Sequence, residues 1–190
     1  ETVEVESASA IEDWVPETAY AGYTGECYYT WRGPNYFSVP GVAPLEYGIY
    51  ITNPGLYKFN FRNYHTYSDP SEENDHWTRM DDGPAKKTYS HTINQWNWHT
   101  VHEHDGQHVE ASYNLSAGMH TFKMEARSFG MSVDGFHFYQ DYVADPLNPA
   151  HRQSPIMGAG EITGSLKRWH KDVAAAKSEP VADAPCTACL

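Results

Sequence analysis

The strongest signal for the fold lies in residues 115–139, LSAGMHTFKMEARSFGMSVDGFHFY. Apolar Phe122, Met124 and Ala126 alternate with Lys, Glu and Arg, which is the period-two pattern of a half-buried β-strand. A Ser-Phe-Gly sequence at 128–130 supplies the residues of a turn, and a second alternating stretch follows it. The segment therefore predicts a β-hairpin.

The second strand of this hairpin, residues 131–139, carries an acidic residue, Asp134, among apolar ones. A carboxylate in such a strand needs a partner, and a bound cation is one candidate. The alternation places side chains on two faces: Val133, Gly135 and His137 on one, and Ser132, Asp134, Phe136 and Phe138 on the other.

The composition excludes some classes of function. The 190 residues include 25 acidic and 13 basic ones, a formal net charge of −12, which argues against nucleic-acid binding because Lys and Arg clusters are missing. No apolar run is long enough to span a membrane. The aromatic share of 14% is high, and it suits either an aromatic core or aromatic rings that stack on sugars.

Short strands separated by turns occupy most of the first 140 residues. About nine strands without a convincing helix predict an all-β fold, an antiparallel β-sandwich of the jelly-roll type. Residues 11–25 are predicted to be a loop. Besides the hairpin, the predicted strands are 2–7, 26–31, 45–52, 56–64, 76–80, 87–89, 96–102 and 109–115.

The composition changes after Tyr139, where proline-containing linker sequence begins. We expect a β-sandwich domain at residues 1–143 and a mostly irregular C-terminal tail at 144–190, with a short helix within 164–177. The chain starts Glu1-Thr-Val without an initiating Met, which is typical of a processed or excised protein, and we expect a secreted one.

Three segments in this order resemble the galactose-binding-domain-like β-sandwiches, especially carbohydrate-binding modules of families 6 and 35. The resemblance covers about residues 1–140 and implies a secreted, non-catalytic module that binds a polysaccharide or glycan. The three segments are an opening VEVE at 3–6, NPGLYKF at 53–59 followed by Arg62, and LSAGMHTF at 115–122 followed by SVD at 132–134.

The resemblance implies a structural calcium. In these modules carboxylates of the first strand and an Asp of the last strand hold the ion, which points here to Glu4, Glu6 and Asp134. Hard oxygen ligands suit Ca²⁺. The alternative is that Glu4 and Glu6 face solvent on an edge strand.

The resemblance also implies a sugar site in loops at one end of the sandwich. Tyr29 or Trp31 matches its first aromatic position and Trp96 or Trp98 its second. The third position holds Ser132 where the family has Asn, and a serine lacks the paired donor and acceptor of an amide. Trp96 and Trp98 are two residues apart and would lie on the same face of a strand. The alternative is that this face packs into the core.

Other chemistry has less support. His99, His102, His104 and His108 lie near acidic residues, which allows a Zn²⁺ or Cu²⁺ site but is more often a polar strand end. None of the common catalytic motifs is present, so we do not expect an enzyme.

The cysteines suggest a second hypothesis. Cys27, Cys186 and Cys189 are candidates for disulfides, and three cysteines leave one over in any intramolecular pairing. In an extracellular setting the remaining thiol favours a link to another copy. The alternative function is therefore a structural subunit of an extracellular assembly, with the C-terminal tail joining protomers.

Overall fold

A computed structural model describes residues 2–69, 72–144 and 146 of the chain. A short 3-10 turn, Val5–Ser7, follows the first strand. The strands are β1 (Thr2–Glu4), β2 (Trp14–Glu17), β3 (Tyr28–Trp31), β4 (Leu45–Ile51), β5 (Gly55–Tyr64), β6 (Asp75–Met80), β7 (Lys86–Tyr89), β8 (Val101–His104), β9 (Gln107–Glu110), β10 (Ser112–Leu115), β11 (Gly118–Glu125) and β12 (Ser132–Tyr139).

The strands form two antiparallel sheets. The first sheet has the order β10-β5-β12-β3-β2, with β1 paired to β12 beside β3, and the second has the order β4-β11-β6-β7-β8-β9. This arrangement confirms the predicted all-β sandwich. β12 is the central strand of the first sheet because β5 pairs with one of its edges and both β3 and β1 pair with the other.

The predicted hairpin of residues 115–139 is wrong. β11 belongs to the second sheet and β12 to the first, so the two strands face each other across the core instead of pairing. The ring centroids of Phe122 and Phe136 are 4.8 Å apart across this interface. The connection does not close a tight turn, because its backbone amides at Ala126, Ser128 and Gly130 bond to carbonyls of three other segments.

Because of a bulge in β12, the predicted assignment of its side chains to two faces is wrong. The pairing of β12 with β5 shifts register between Val133 and Gly135. Val133 consequently joins the hydrophobic core together with Phe136 and Phe138, although strict alternation puts it on the opposite face. Asp134 instead reaches Arg62 and Thr24.

β2 lies in a segment that the sequence predicted to be a loop. Trp14 in this strand is 2% exposed, its indole donates to the Ala43 carbonyl at 2.9 Å, and its ring contacts Trp31. Pro16 weakens the strand signal, but β2 is at the edge of its sheet, where a missing backbone donor is tolerated.

Between the sheets lies an aromatic core. Its phenylalanine rings come from β5, β11 and β12, and burial of each contributes about 1.5–3 kcal/mol of transfer free energy. These rings are Phe59, Phe61, Phe122, Phe136 and Phe138. They fix β5 and β12 side by side and thereby position the outward-facing residues of both strands.

Three predictions lie wholly or partly outside the described residues. The tail from residue 147 onward, including the helix predicted within 164–177, lies outside them, and so do Cys186 and Cys189. Cys27 is fully buried beside the core, so any disulfide from it to the tail stays a prediction. The part of the chain that the structure describes contains no helix long and apolar enough to cross a membrane.

Candidate functional site

The three predicted calcium ligands lie together beside β12. We call Glu4, Glu6 and Asp134 the acid cluster. The Thr24 hydroxyl is 2.9 Å from both Glu4 Oε2 and Asp134 Oδ2, so one side chain bridges the first and last strands. The backbone N–H of Glu26 donates to Glu6 Oε1 at 2.7 Å. The turn that contains residues 24–26 therefore covers the acid cluster.

Gly25 allows the turn to come this close. Its φ of +65° lies in the left-handed region, and a Cβ on it would be 1.9 Å from Glu6 Oε1. Any side chain at this position would displace the Glu6 carboxylate. The turn is thus fitted to the acid cluster.

The electrostatics of the acid cluster are unbalanced. Burial raises the pKa of Glu6 to about 7, and burial is also the main cause of the raised pKa values of Glu4 and Asp134. Arg62 forms an ion pair with Asp134, while Glu6 Oε2 is buried without a hydrogen-bond partner among the described residues. When all three carboxylates are ionised, they and the one guanidinium carry a net charge of −2, which is the charge that one divalent cation balances.

The geometry itself is not that of a formed metal site. Among the described residues, no three His, Cys, Asp or Glu side chains are placed as a metal-binding group. Thr24 and Arg62 supply the present partners of Asp134. The fit to calcium therefore rests on the charge and oxygen chemistry of the acid cluster.

Three of the residues predicted to bind sugar are inside the protein. Tyr29, Trp31 and Ser132 are all 0% exposed. The Tyr29 hydroxyl and the Trp31 indole donate to backbone carbonyls, and the Ser132 hydroxyl is 2.7 Å from that of Thr30. The prediction that these side chains contact a sugar is corrected, since the alternation of β3 turns Tyr29 and Trp31 into the core.

Trp96 is half-buried in an aromatic cluster on the outer face of the first sheet. Its ring packs 5.1 Å from Tyr28 and 5.3 Å from Tyr64, and the Arg62 guanidinium lies over it at 5.1 Å. Tyr20 stacks on Tyr64 at 4.2 Å. Sequence reasoning missed these neighbours, although the alternation of β3 predicts that Tyr28 faces opposite to Tyr29.

Trp98 lies flat on a buried histidine. Its ring is 4.5 Å from that of His137 with an interplanar angle of 9°, and the residue is half-buried. Asn97 forms an isolated antiparallel β-bridge with Asn63 of β5, and this bridge holds the segment that contains both tryptophans against β5. We call Trp96, Trp98, Tyr20, Tyr64 and Arg62 the tryptophan surface.

The histidines of residues 99–108 are not collected into one site. His102 is 1% exposed and packs against Phe59 and Tyr113, while His108 Nδ1 is 2.7 Å from the Tyr89 hydroxyl. His104 is exposed beside Asp105. Within the described part of the chain these side chains form no metal-binding group.

One arrangement resembles a catalytic triad in its residue types. His120 Nδ1 is 2.7 Å from Asp81 Oδ2, and its Nε2 is 3.4 Å from Ser116 Oγ. However, Nε2 is also 2.9 Å from the Ser116 carbonyl, which only accepts, so this nitrogen carries a proton and cannot take one from the hydroxyl. Burial opposes the charged form, but the hydrogen bonds to Asp81 and Ser116 raise the pKa of His120. The three residues therefore clamp the turn between β10 and β11.

Comparisons with known proteins give a structural likeness. No family model and no curated protein matches the sequence. A family 35 carbohydrate-binding module from Clostridium thermocellum is 15% identical, with a TM-score of 0.55 over 74% of this chain and 98% of its own. A family 35 module from an environmental isolate is 16% identical, with a TM-score of 0.51 over 74% of this chain and 93% of its own.

A larger enzyme contains a similar portion. The GH26-CBM35 β-(1,4)-mannanase of Podospora anserina is 19% identical, with a TM-score of 0.54 over 73% of this chain. The match spans about a quarter of that enzyme, 27% of its length. At these identities the likeness concerns the fold. The chain thus has the two-sheet β-sandwich fold of the family 35 carbohydrate-binding modules.

Proposed function

We propose that this domain is a non-catalytic carbohydrate-binding module and that the tryptophan surface contacts the glycan. The observation that carries the proposal is the position of Trp98. Because His137 covers one face of its indole, the solvent-accessible part of this half-buried ring is a flat apolar surface backed by a rigid stack. Sugar rings present C–H faces that pack on such a surface.

The polar residues nearby support a hydroxyl-rich ligand. Asn60 is half-buried and pairs directly with His137, and its amide donates to the Tyr139 hydroxyl at 3.1 Å. Arg62 adds a guanidinium beside Trp96. An apolar platform with a few fixed polar groups is the usual composition of a small-molecule site.

The test is retention of the protein in affinity gels that contain a soluble glycan. β-1,4-Mannan is the first probe because the fold occurs in a β-(1,4)-mannanase, and β-glucan and xylan are the next. Trp98→Ala is expected to weaken binding about tenfold or more. Phe37→Ala, on a residue that is 48% exposed outside this surface, is the matched control. Unchanged retention of Trp98→Ala, with a folded protein by circular dichroism, would contradict the proposal.

We further propose that calcium stabilises the domain through the acid cluster. Bound Ca²⁺ supplies two positive charges to Glu4, Glu6 and Asp134 and ties β1 to β12. Extracellular modules bind calcium with dissociation constants of ~10⁻⁴–10⁻³ M, which suits the secreted location that we expect for this protein. Calorimetric titration with CaCl₂ tests this, with Glu6→Gln as the variant that should lose binding. Equal heats for both proteins would argue against the acid cluster as the site.

A further inference from the structure

A cavity lies at the C-terminal end of β12, away from the acid cluster around Asp134. It has a volume of about 300 Å³ and is bounded by the ends of β4 and β12, the turn before β5 and the segment that follows β12. Trp96, Trp98, Tyr20, Tyr64 and Arg62 do not line it, although His137, on which Trp98 stacks, contributes to its wall. Six of the lining residues carry the argument below: Tyr50, Asn53, Tyr57, Tyr139, Gln140 and Tyr142.

The cavity has a fixed wall and an open front. The Tyr57 hydroxyl donates to the Asn53 carbonyl at 2.8 Å, and the Tyr139 hydroxyl accepts from the Asn60 amide at 3.1 Å, so both of these rings are anchored. In contrast, Tyr50 is 40% exposed and Tyr142 is 74% exposed. Two tyrosine rings are therefore available to solvent at the front of a preformed wall.

Backbone geometry leaves room for an amide in this wall. Gly55 has a φ of +149°, and a Cβ on it would be 2.8 Å from Gln140 Nε2. The glycine thus permits the Gln140 side chain to lie across the start of β5. Together with Asn53, Gln140 places a primary amide beside the tyrosines, and amides offer the paired donor and acceptor that vicinal hydroxyls match.

The cavity is also neutral, although the whole chain carries a formal charge of −12. None of the described residues that line it is Asp, Glu, Lys or Arg. His137 contributes to the wall, and burial lowers its pKa to about 4, so it is uncharged at neutral pH. Since none of these lining residues carries a charge, the wall favours a neutral hydroxylated ring, which finds both stacking surface and hydrogen-bonding groups.

We propose that this tyrosine cavity binds a neutral pyranose unit of a glycan, as a second carbohydrate site. Its volume is at the low end of the ~300–1,000 Å³ usual for ligand sites, which suits one or two sugar units. The proposal extends the carbohydrate binding proposed above but does not depend on the tryptophan surface. Two sites on one domain would let it hold two parts of one polysaccharide or two chains.

The experiment uses aromatic and indole NMR signals of the full chain. The neutral probes are mannotetraose, cellotetraose and xylotetraose, and the anionic comparison is trigalacturonic acid. At least one neutral probe is expected to shift Tyr50 and Tyr142 signals, and Tyr50→Ala or Tyr142→Ala should weaken that response about tenfold. Tyr67→Ala, at an exposed tyrosine that does not line the cavity, is the control and should leave it unchanged.

The outcomes separate the two proposed sites. Shifts confined to the Trp96 and Trp98 indole signals would overturn the tyrosine cavity and uphold the tryptophan surface. Shifts confined to the tyrosines would do the reverse. Equal binding of trigalacturonic acid would contradict a neutral ligand, and no shift with any probe would overturn both sites. Melting temperatures of the variants show whether they remain folded.

Discussion

Two aspartates of this protein are equally buried and have opposite electrostatic surroundings. Asp75, which is 3% exposed, meets two cations: Arg127, with which it forms an ion pair, and Lys87, whose Nζ is 3.8 Å away. Asp134, which is 0% exposed, pairs with one cation, Arg62, and lies beside two further carboxylates.

The two sites differ in how far nearby cations compensate the charge of the aspartate. Asp75 accepts a hydrogen bond from the Ser128 hydroxyl and forms its ion pair with the Arg127 guanidinium. We call the Asp75–Arg127 ion pair the closed pair, and it joins β6 to the connection between β11 and β12. The charge of Asp75 is therefore compensated within the described residues, although Arg127 Nε is buried without a hydrogen-bond partner among them. The acid cluster around Asp134 retains excess negative charge next to the strand that closes the first sheet. Burial of uncompensated carboxylates is costly, and this excess charge is what supports the proposed calcium site.

The largest expected effect comes from opening the closed pair. Arg127→Met leaves Asp75 buried with less compensation, and loss of one partner of a buried ion pair costs about 3–5 kcal/mol of unfolding free energy. Urea unfolding measures this change. The same substitution at Arg62 should be partly rescued by calcium because the ion replaces the lost charge. Equal rescue of Arg127→Met by calcium would break the comparison.

Calcium itself should act on only one of the two sites. At about 100 times its dissociation constant, an ion that binds the folded state alone adds ~2.7 kcal/mol of stability. We expect this gain, measured by thermal unfolding with CaCl₂ against EDTA, in the natural protein and not in Asp134→Asn. Magnesium at the same concentration is the control, since it loses its water shell reluctantly. A gain that survives Asp134→Asn would place the ion elsewhere.

A pair of glycines sharpens the comparison through the turn over the acid cluster. Gly25 and Gly106 have similar φ values of +65° and +70°, but a Cβ would clash with Glu6 only at Gly25. Gly106→Ala therefore measures the backbone cost alone, about 1 kcal/mol, and Gly25→Ala adds the displacement of Glu6 for a total of about 2 kcal/mol or more. Unfolding free energies of the two variants give the difference. Equal losses would show that the turn is not fitted to the carboxylates.

The pH dependence of stability distinguishes the acid cluster from buried histidines. The folded-state pKa of Glu6 is raised from 4.5 to about 7, so its contribution is present below pH 4.5 and is lost as the pH rises through about 7. Without calcium, Glu6→Gln should flatten this decline in unfolding free energy between pH 4.5 and pH 8, a direction that simple acid denaturation does not produce. A decline of the same slope in Glu6→Gln would assign it to other groups.

The histidines act in the opposite direction. Burial lowers the pKa of His76 to about 3, so its contribution is present above its ordinary value of 6.5 and is lost as the pH falls toward 3. His76 packs against Trp14 and Phe61. His76→Phe should keep this packing and lower the pH of acid unfolding, measured by tryptophan fluorescence. An unchanged acid midpoint would show that other buried histidines, such as His102, dominate.

Much of the sandwich could be predicted from the sequence because its strands alternate strongly. The segment of β4 and β5 was located to within a residue or two, since the Asn-Pro-Gly turn marks the boundary between them. Strand partners were harder. β11 and β12 are adjacent in sequence, and local alternation carries no information on whether two strands pair or face each other across a core.

The candidate sites were predicted unevenly for the same reason. Asp134 was conspicuous as a carboxylate in an apolar strand, and the family resemblance added Glu4 and Glu6. Tyr29 and Trp31 were assigned to a sugar site from the family resemblance, whereas the alternation of β3 places both in the core. Tyr28 lies on the opposite face, where it is buried beneath the ring of Trp96. The tyrosine cavity combines residues 50–57 with residues 139–142, and only the tertiary fold brings these together.

The position of β12 has a kinetic consequence. It is the last strand in order among the described residues, yet it fills the gap between β3 and β5 and pairs with β1, where Thr2 lies opposite His137. Until residue 139 has left the ribosome, β5 lacks its central neighbour and β1 has no neighbour in the sheet. Closure over so long a loop is slow, and all-β domains rich in such pairings typically fold in milliseconds to seconds. Strand edges of the nascent chain therefore stay exposed until β12 has emerged. From then on, a cation that draws β1 toward β12 would shorten the remaining period in which those edges can aggregate.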